Sequence, residues 1–101
     1  MTEKDRTLWM GNIEPWMTNN YLLSALNKIN IFPNKIDIKK FQNKRSYAFL
    51  EFLSHEIAEE ILNKFNGKYI NNIMLKFNWV KKQKEQNVIN KNMVFTVNKF
   101  L

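Results

Sequence analysis

A chain of 101 residues has room for one domain and not two. With 45% of residues hydrophobic and 14% aromatic it is too apolar for a disordered tail, and without cysteine it excludes disulfides and thiolate metal sites. Sixteen Lys and Arg against nine Asp and Glu give a charge of +7, a field that favours a polyanion and says nothing about fold.

The chain starts with a charged segment, 1–6, that lacks the apolar core of a secretion signal. No stretch approaches the roughly 20 apolar residues that span a bilayer. The expected home is nucleus or cytoplasm, with no membrane contact. Residues 7–13 then alternate as a strand, Leu8 and Met10 on one side, Trp9 and Gly11 on the other. Glu14 to Met17 make a turn, and Thr18 can cap a helix of about three turns. Tyr21, Leu22, Ala25, Leu26 and Ile29 would form its buried stripe, and the stretch 30–34 with Pro33 should end it.

Residues 35–41 alternate again, with Ile36 and Ile38 inward and Asp37 and Lys39 outward. A short polar turn at 42–44 predicts a hairpin into the strand 45–52. There Ala48, Leu50 and Phe52 share one face and Tyr47, Phe49 and Glu51 the other. Ser54 can cap a second helix carrying Ile57, Ala58, Ile61, Leu62 and Phe65, stopped by Asn66 and Gly67. A last strand is expected over 73–79, with Leu75, Phe77 and Trp79 on a common face. The order is βαββαβ. It predicts an α+β, ferredoxin-like sandwich: one four-stranded antiparallel sheet, with two helices covering one side. The other side is left to solvent or to a ligand.

That open side carries the chemistry. With the first and third strands adjacent at the sheet centre, Trp9 stands beside Tyr47 and Phe49. Flat rings on a rigid sheet offer stacking surfaces to bases, each worth about 1–3 kcal/mol. Rings packed beneath a C-terminal segment or another protein are the structural alternative. Gly11 on the same face marks either a bulge or a place where no side chain blocks a base. Asn12 reads as a residue that bonds backbone at a turn. Lys39, Lys44, Arg45 and Lys76 line the surface as phosphate partners, Arg45 foremost because its fork can hold two oxygens. Asn78 can offer its amide to a base edge. Lys81, with Lys82 and Lys84, can clamp an outgoing strand or serve only as a tether. Trp16, Phe65 and Trp79 read as packing residues. The lone His55 has no second His, no Cys and no convergent carboxylates beside it, and only Gly11 and Gly67 are glycines, so no loop cradles phosphate. The chain is expected to be no enzyme and to need no cofactor or metal.

Taken together, the hexamer Leu8 to Ile13 and the octamer RSYAFLEF, residues 45–52, resemble the two signatures of the RNA-recognition motif family. The octamer follows the form K/R-G-F/Y-G/A-F-V-x-F/Y. The resemblance spans 7–82 and implies single-stranded RNA as partner. It places the family's stacking positions on Trp9, Tyr47 and Phe49. TLWMGNIEPWMTNNYL, residues 7–22, is further similar to the first domain of tandem proteins of the tRNA selenocysteine-associated kind. Plant oligouridylate-binding-like proteins and a yeast U1 snRNP-associated splicing factor are related to these. That likeness implies a monomeric module serving a tRNA or a pre-mRNA, in a tRNA(Sec)-associated or splicing complex with other RNP proteins. Two departures stand out. Ser46 replaces the usual glycine, and the loop between the second and third strands is short, which implies modest affinity reinforced by neighbouring domains. Residues 83–101 are expected to be a basic linker or extension. The apolar segment 94–101 would be an extra strand, a tail folded onto the sheet or the opening of a second such domain, the last preferred. A protein-interaction module built on the same fold is the alternative function.

Overall fold

The computed structural model describes residues 3–42 and 45–80. A 3-10 turn, Glu3–Arg6, leads into β1 (Thr7–Ile13). There follow α1 (Asn19–Asn27), β2 (Lys35–Lys39), β3 (Ser46–Glu51), α2 (His55–Phe65), β4 (Tyr69–Ile70), β5 (Ile73–Met74) and β6 (Phe77–Trp79). Four strands form one antiparallel sheet in the order β2-β3-β1-β6, and β4 pairs β5 in a separate hairpin. The expected α+β arrangement, with β1 and β3 at its centre, is what is found.

Both helices start where the sequence supplies an oxygen for an orphan backbone donor. Thr18 Oγ1 accepts from the Tyr21 N–H at 3.1 Å, and Ser54 Oγ accepts from the Ile57 N–H at 3.2 Å. Each such cap stabilises by about 1 kcal/mol. In α2, Glu56 in the first turn and Lys64 in the last also suit the helix dipole. Helix α1 is shorter than expected, and within the stretch 30–34 it is Asn30 and not Pro33 that closes it. Asn30 adopts left-handed backbone at φ 66°, its N–H bonds the Asn27 carbonyl, and the Ile31 N–H reaches back to the Leu26 carbonyl. This is a Schellman closure, completed by two buried apolar residues, Leu26 and Ile31. Ile29 therefore packs against the core from beyond the helix.

The core lies between the sheet and the helices. Leu8, Met10 and Ile13 of β1, Ala48 and Leu50 of β3, and Phe52 meet Leu22 and Leu26 of α1 and Ala58 and Ile61 of α2. Leu8, Leu50 and Phe52 are wholly buried. Side chains of that size contribute roughly 1.5–3 kcal/mol each.

Three expectations are corrected. The strand read over 73–79 is two pieces. Asn71 and Asn72, at φ 50° and 68°, turn the chain so that Ile73–Met74 pairs with Tyr69–Ile70, and only Phe77–Trp79 joins the main sheet. Two consecutive positive φ values form the hairpin turn whose twist matches its strands. Leu75 and Phe77 still point into the core. Second, the alternation of β1 holds through Gly11, which lies on the side of Trp9, and breaks after it at Asn12, where the register with β3 shifts so that Ile13 joins the core. Third, Trp16 is not packed inside. It is 58% exposed and sets its ring edge-on to Tyr21 at 4.8 Å. Phe65 and Trp79 do pack at the margin of the core. His55, the first residue of α2, stacks its ring on Trp79 at 4.8 Å and 10°, and its Nδ1 bonds the Asp5 carbonyl. It is a structural clasp for the edge strand.

Candidate nucleic-acid interface

The uncovered face of the sheet is built by the odd-numbered residues of β2 and β3 and by those of β1 up to Gly11. Trp9 is paired with Phe49, Phe49 in turn with Asp37, and Tyr47 with Lys39. The three expected rings do emerge together. Trp9 and Tyr47 lie 6.1 Å apart at 36°, and Tyr47 meets Phe49 at 5.4 Å, edge to face. All three are half-buried, so each keeps surface to offer.

The space above Gly11 is not open to a base. A methyl group there would lie 2.5 Å from Trp9 Cη2 and 2.9 Å from Cζ3, so the indole of Trp9 already lies across it. Glycine serves here both readings made from sequence in modified form. It sits at the bulge, and the absent side chain makes room for the chain's own ring. Lys76 flanks the same indole, with Nζ 6.0 Å from the ring centroid, and its carbonyl accepts from the Gly11 N–H at 2.8 Å.

The remaining expected residues divide. Lys39 Nζ is 3.1 Å from Asp37 Oδ2, so part of its charge is answered on the face itself. Arg45 Nη1 donates to Asn12 Oδ1 at 3.2 Å, while Asn12 Nδ2 donates to the Met74 carbonyl at 2.9 Å. Asn12 thus bonds backbone as expected, but from the irregular end of β1 and not from a turn, at φ 59°. Asn78 stands opposite Trp9 on β6. Its Oδ1 accepts from the Trp79 N–H at 2.8 Å, and among the described residues its amide nitrogen has no partner. Lys81 lies outside the described residues, as do Lys44, Lys82, Lys84 and the segment 83–101.

Two residues were missed. Phe41, just past β2, sets its ring 5.6 Å from Tyr47 at 35° and is 44% exposed. Lys40 swings to the Pro15 carbonyl at 3.0 Å, tying the end of β2 to the turn before α1. The parity of β2 could have found Phe41, since positions 35, 37, 39 and 41 share the outward side. At the opposite end of the face Glu51 is ion-paired with Arg6 at 2.9 Å. The surface is therefore graded, basic toward Tyr47 and Phe41 and carrying carboxylates toward Glu51.

Among the described residues no group of three or more His, Asp or Glu could hold a metal ion, and no helix is long and apolar enough to cross a membrane. An apolar cleft lined by Met17, Tyr21, Leu22, Ile70, Ile73 and Leu75 lies on the covered side, between α1 and the β4–β5 hairpin.

Comparison with known proteins gives a consistent set. The family model described as RNA recognition motif matches residues 8–76. Polyadenylate-binding protein RBP47B′ of Arabidopsis thaliana is 34% identical over 84 residues, which are 76% of this chain and 19% of that protein. Among solved structures, the first two such domains of the yeast poly(U) binding protein Pub1 are 31% identical. They cover 76% of this chain and 47% of that one, at a TM-score of 0.61. Three RNA-binding domains of the yeast splicing factor Prp24 match at 26% identity and a TM-score of 0.61, covering 80% of this chain and 33% of that one. The chain spans 19% of the length of the first curated relatives it matches.

Proposed function

The chain belongs to the RNA recognition motif family, and from that premise we propose that it is a non-catalytic module that binds single-stranded RNA across the open face of its sheet. One observation carries the reading. Trp9, Tyr47 and Phe49 stand together, half-exposed, on the only side of the main sheet that the two helices leave bare. The rings are 5.4–6.1 Å apart, wider than the roughly 3.4 Å step of stacked bases in a strand. Bases seated on them are therefore splayed apart, each on its own ring, which suits a single strand and not a duplex. Arg45, Lys39 and Lys76 supply the charge that holds phosphates, and Asn78 can donate to a base edge beside Trp9.

The named preferences of the relatives, polyadenylate for the plant protein and poly(U) for the yeast one, support A- or U-rich stretches as the RNA class. The likeness to a splicing factor favours a splicing context over a selenocysteine tRNA. Titration of the 101-residue protein into fluorescein-labelled oligoadenylate and oligouridylate, followed by anisotropy, tests this. Saturable binding that weakens steeply with salt is expected. A folded protein that leaves both oligonucleotides unbound at low salt sinks the proposal.

A second reading, a protein partner within an RNP, draws on Trp16 and Phe32, 58% and 63% exposed and outside the sheet. A residue-by-residue chemical-shift map distinguishes the two, since RNA perturbs the surroundings of Trp9 and such a partner perturbs those of Trp16.

A further inference from the structure

We propose that Phe41 is a fourth base-stacking platform, so that the bound strand runs off the end of the sheet and occupies one nucleotide more than Trp9, Tyr47 and Phe49 can carry. This rests on the RNA reading above and extends it.

The geometry points there first. Trp9, Tyr47 and Phe41 form a diagonal line across β1, β3 and the end of β2, with centroid steps of 6.1 and 5.6 Å and interplanar angles of 36° and 35°. The second step repeats the first in both spacing and tilt. Phe49 stands beside this line, edge-on to Tyr47. A strand whose bases lie on Trp9 and Tyr47 meets the next ring at the same stride.

Exposure agrees. Phe41 leaves 44% of its surface to solvent at the tip of a hairpin, where a polar residue would cost less. Its contact with Tyr47 fixes the ring and leaves surface for a further flat group.

Charge decides the direction. The β2–β3 ladder ends with Lys39 facing Tyr47, and beyond it Phe41 follows Lys39 by two residues as Arg45 precedes Tyr47 by two. Lys40, the chain neighbour of Phe41, is turned away to the Pro15 carbonyl, so Arg45 is the cation that counts here. The strand's other way out, past Phe49, leads between Asp37 and Glu51. Asp37 is held by Lys39 and Glu51 by Arg6, so that among the described residues Lys35, opposite Glu51, is the one cation at that end without a carboxylate of its own, against two carboxylates. A polyanion gains more by leaving over Phe41. Arg45 is engaged too, but by the neutral amide of Asn12, which leaves its charge uncompensated.

The test is a ladder of labelled oligouridylates and oligoadenylates, lengthened one nucleotide at a time, titrated with the wild-type chain, Phe41→Ala and Phe41→Trp. Circular dichroism melting checks that the variants fold. With the wild type and Phe41→Trp, affinity climbs through one length step that Phe41→Ala lacks. Phe41→Ala matches the wild type on oligonucleotides too short to reach the ring and loses at least about fivefold on longer ones. An equal loss at every length would overturn the proposal, because Phe41 would then act only by propping Tyr47. No loss at any length would also overturn it and leave the ring to a protein partner. If the wild type binds no member of either ladder, the RNA reading itself falls and takes this inference with it.

Discussion

The two faces of β3 are made by adjacent residues of one hexapeptide, yet they obey different rules. Ala48 and Leu50 point to the helices and are wholly buried, packed without regard to any outside partner. Tyr47 and Phe49 point the other way and touch mainly other rings. Aliphatic side chains have rotamers that fill a closed volume, and they belong where shape complementarity is permanent. Aromatic rings are flat, stiff and large. They can sit on a surface at modest cost and still gain on meeting another flat group. One strand thus divides its labour by parity, stability on even positions and, on the function proposed above, recognition on odd ones.

The sharpest way to break that division is Leu50→Ala. It leaves a cavity at the centre of the core and should cost about 2–5 kcal/mol of stability, read by denaturant melts. RNA affinity extrapolated to the folded fraction should barely change. Next comes Tyr47→Ala, for which the expectation is reversed. Binding weakens by about 1–3 kcal/mol in a titration while the unfolding midpoint moves little. If Tyr47→Ala destabilised the protein as much as Leu50→Ala, the open face would be core by another name.

Gly11→Ala sharpens the comparison more finely. The new methyl group collides with the far edge of the Trp9 indole, a ring with room to swing, so stability should stay within about 1 kcal/mol of wild type. The displaced ring should lose about 1 kcal/mol of RNA affinity, the low end of one stacking contribution. A shifted tryptophan emission spectrum in the free protein reports the displacement. The smallest effect expected is that of Lys76→Ala. Loss of one phosphate contact lowers the slope of log affinity against log salt by about 0.7, with the sequence preference unchanged.

How much of this was legible beforehand follows from the same physics. Alternation located the strands and put Trp9, Tyr47 and Phe49 on one side, because side-chain parity is set by the backbone alone. Thr18 and Ser54 announced their helices through local hydrogen bonding. Parity misled over 73–79, where Ile73, Leu75, Phe77 and Trp79 imitate one strand. The break depends on Asn71 and Asn72 both taking positive φ, and Asn-Asn signals a two-residue turn less loudly than Asn-Gly. Gly11 was open to two readings because what decides between them, the indole of Trp9 folded over it, is a tertiary contact. Trp16 looked like core by composition, and its exposure follows from the course of a turn that no periodicity describes. Phe41 is within reach of parity, since it continues the outward side of β2, but it lies outside both signature segments. The pairing of Arg45 with Asn12 joins residues 33 apart in sequence, so only coordinates could show it.

Asn12 poses a problem of chemical vocabulary. Its backbone is left-handed, its amide nitrogen holds the Met74 carbonyl of the rear hairpin, and its amide oxygen holds the guanidinium of Arg45 on the front. Glycine tolerates the backbone and offers no side chain. Aspartate accepts but cannot donate, and glutamine has the amide on a longer stem with less tolerance of that conformation. Anyone redesigning this domain for a different ligand can vary the rings freely, but position 12 has almost no synonyms.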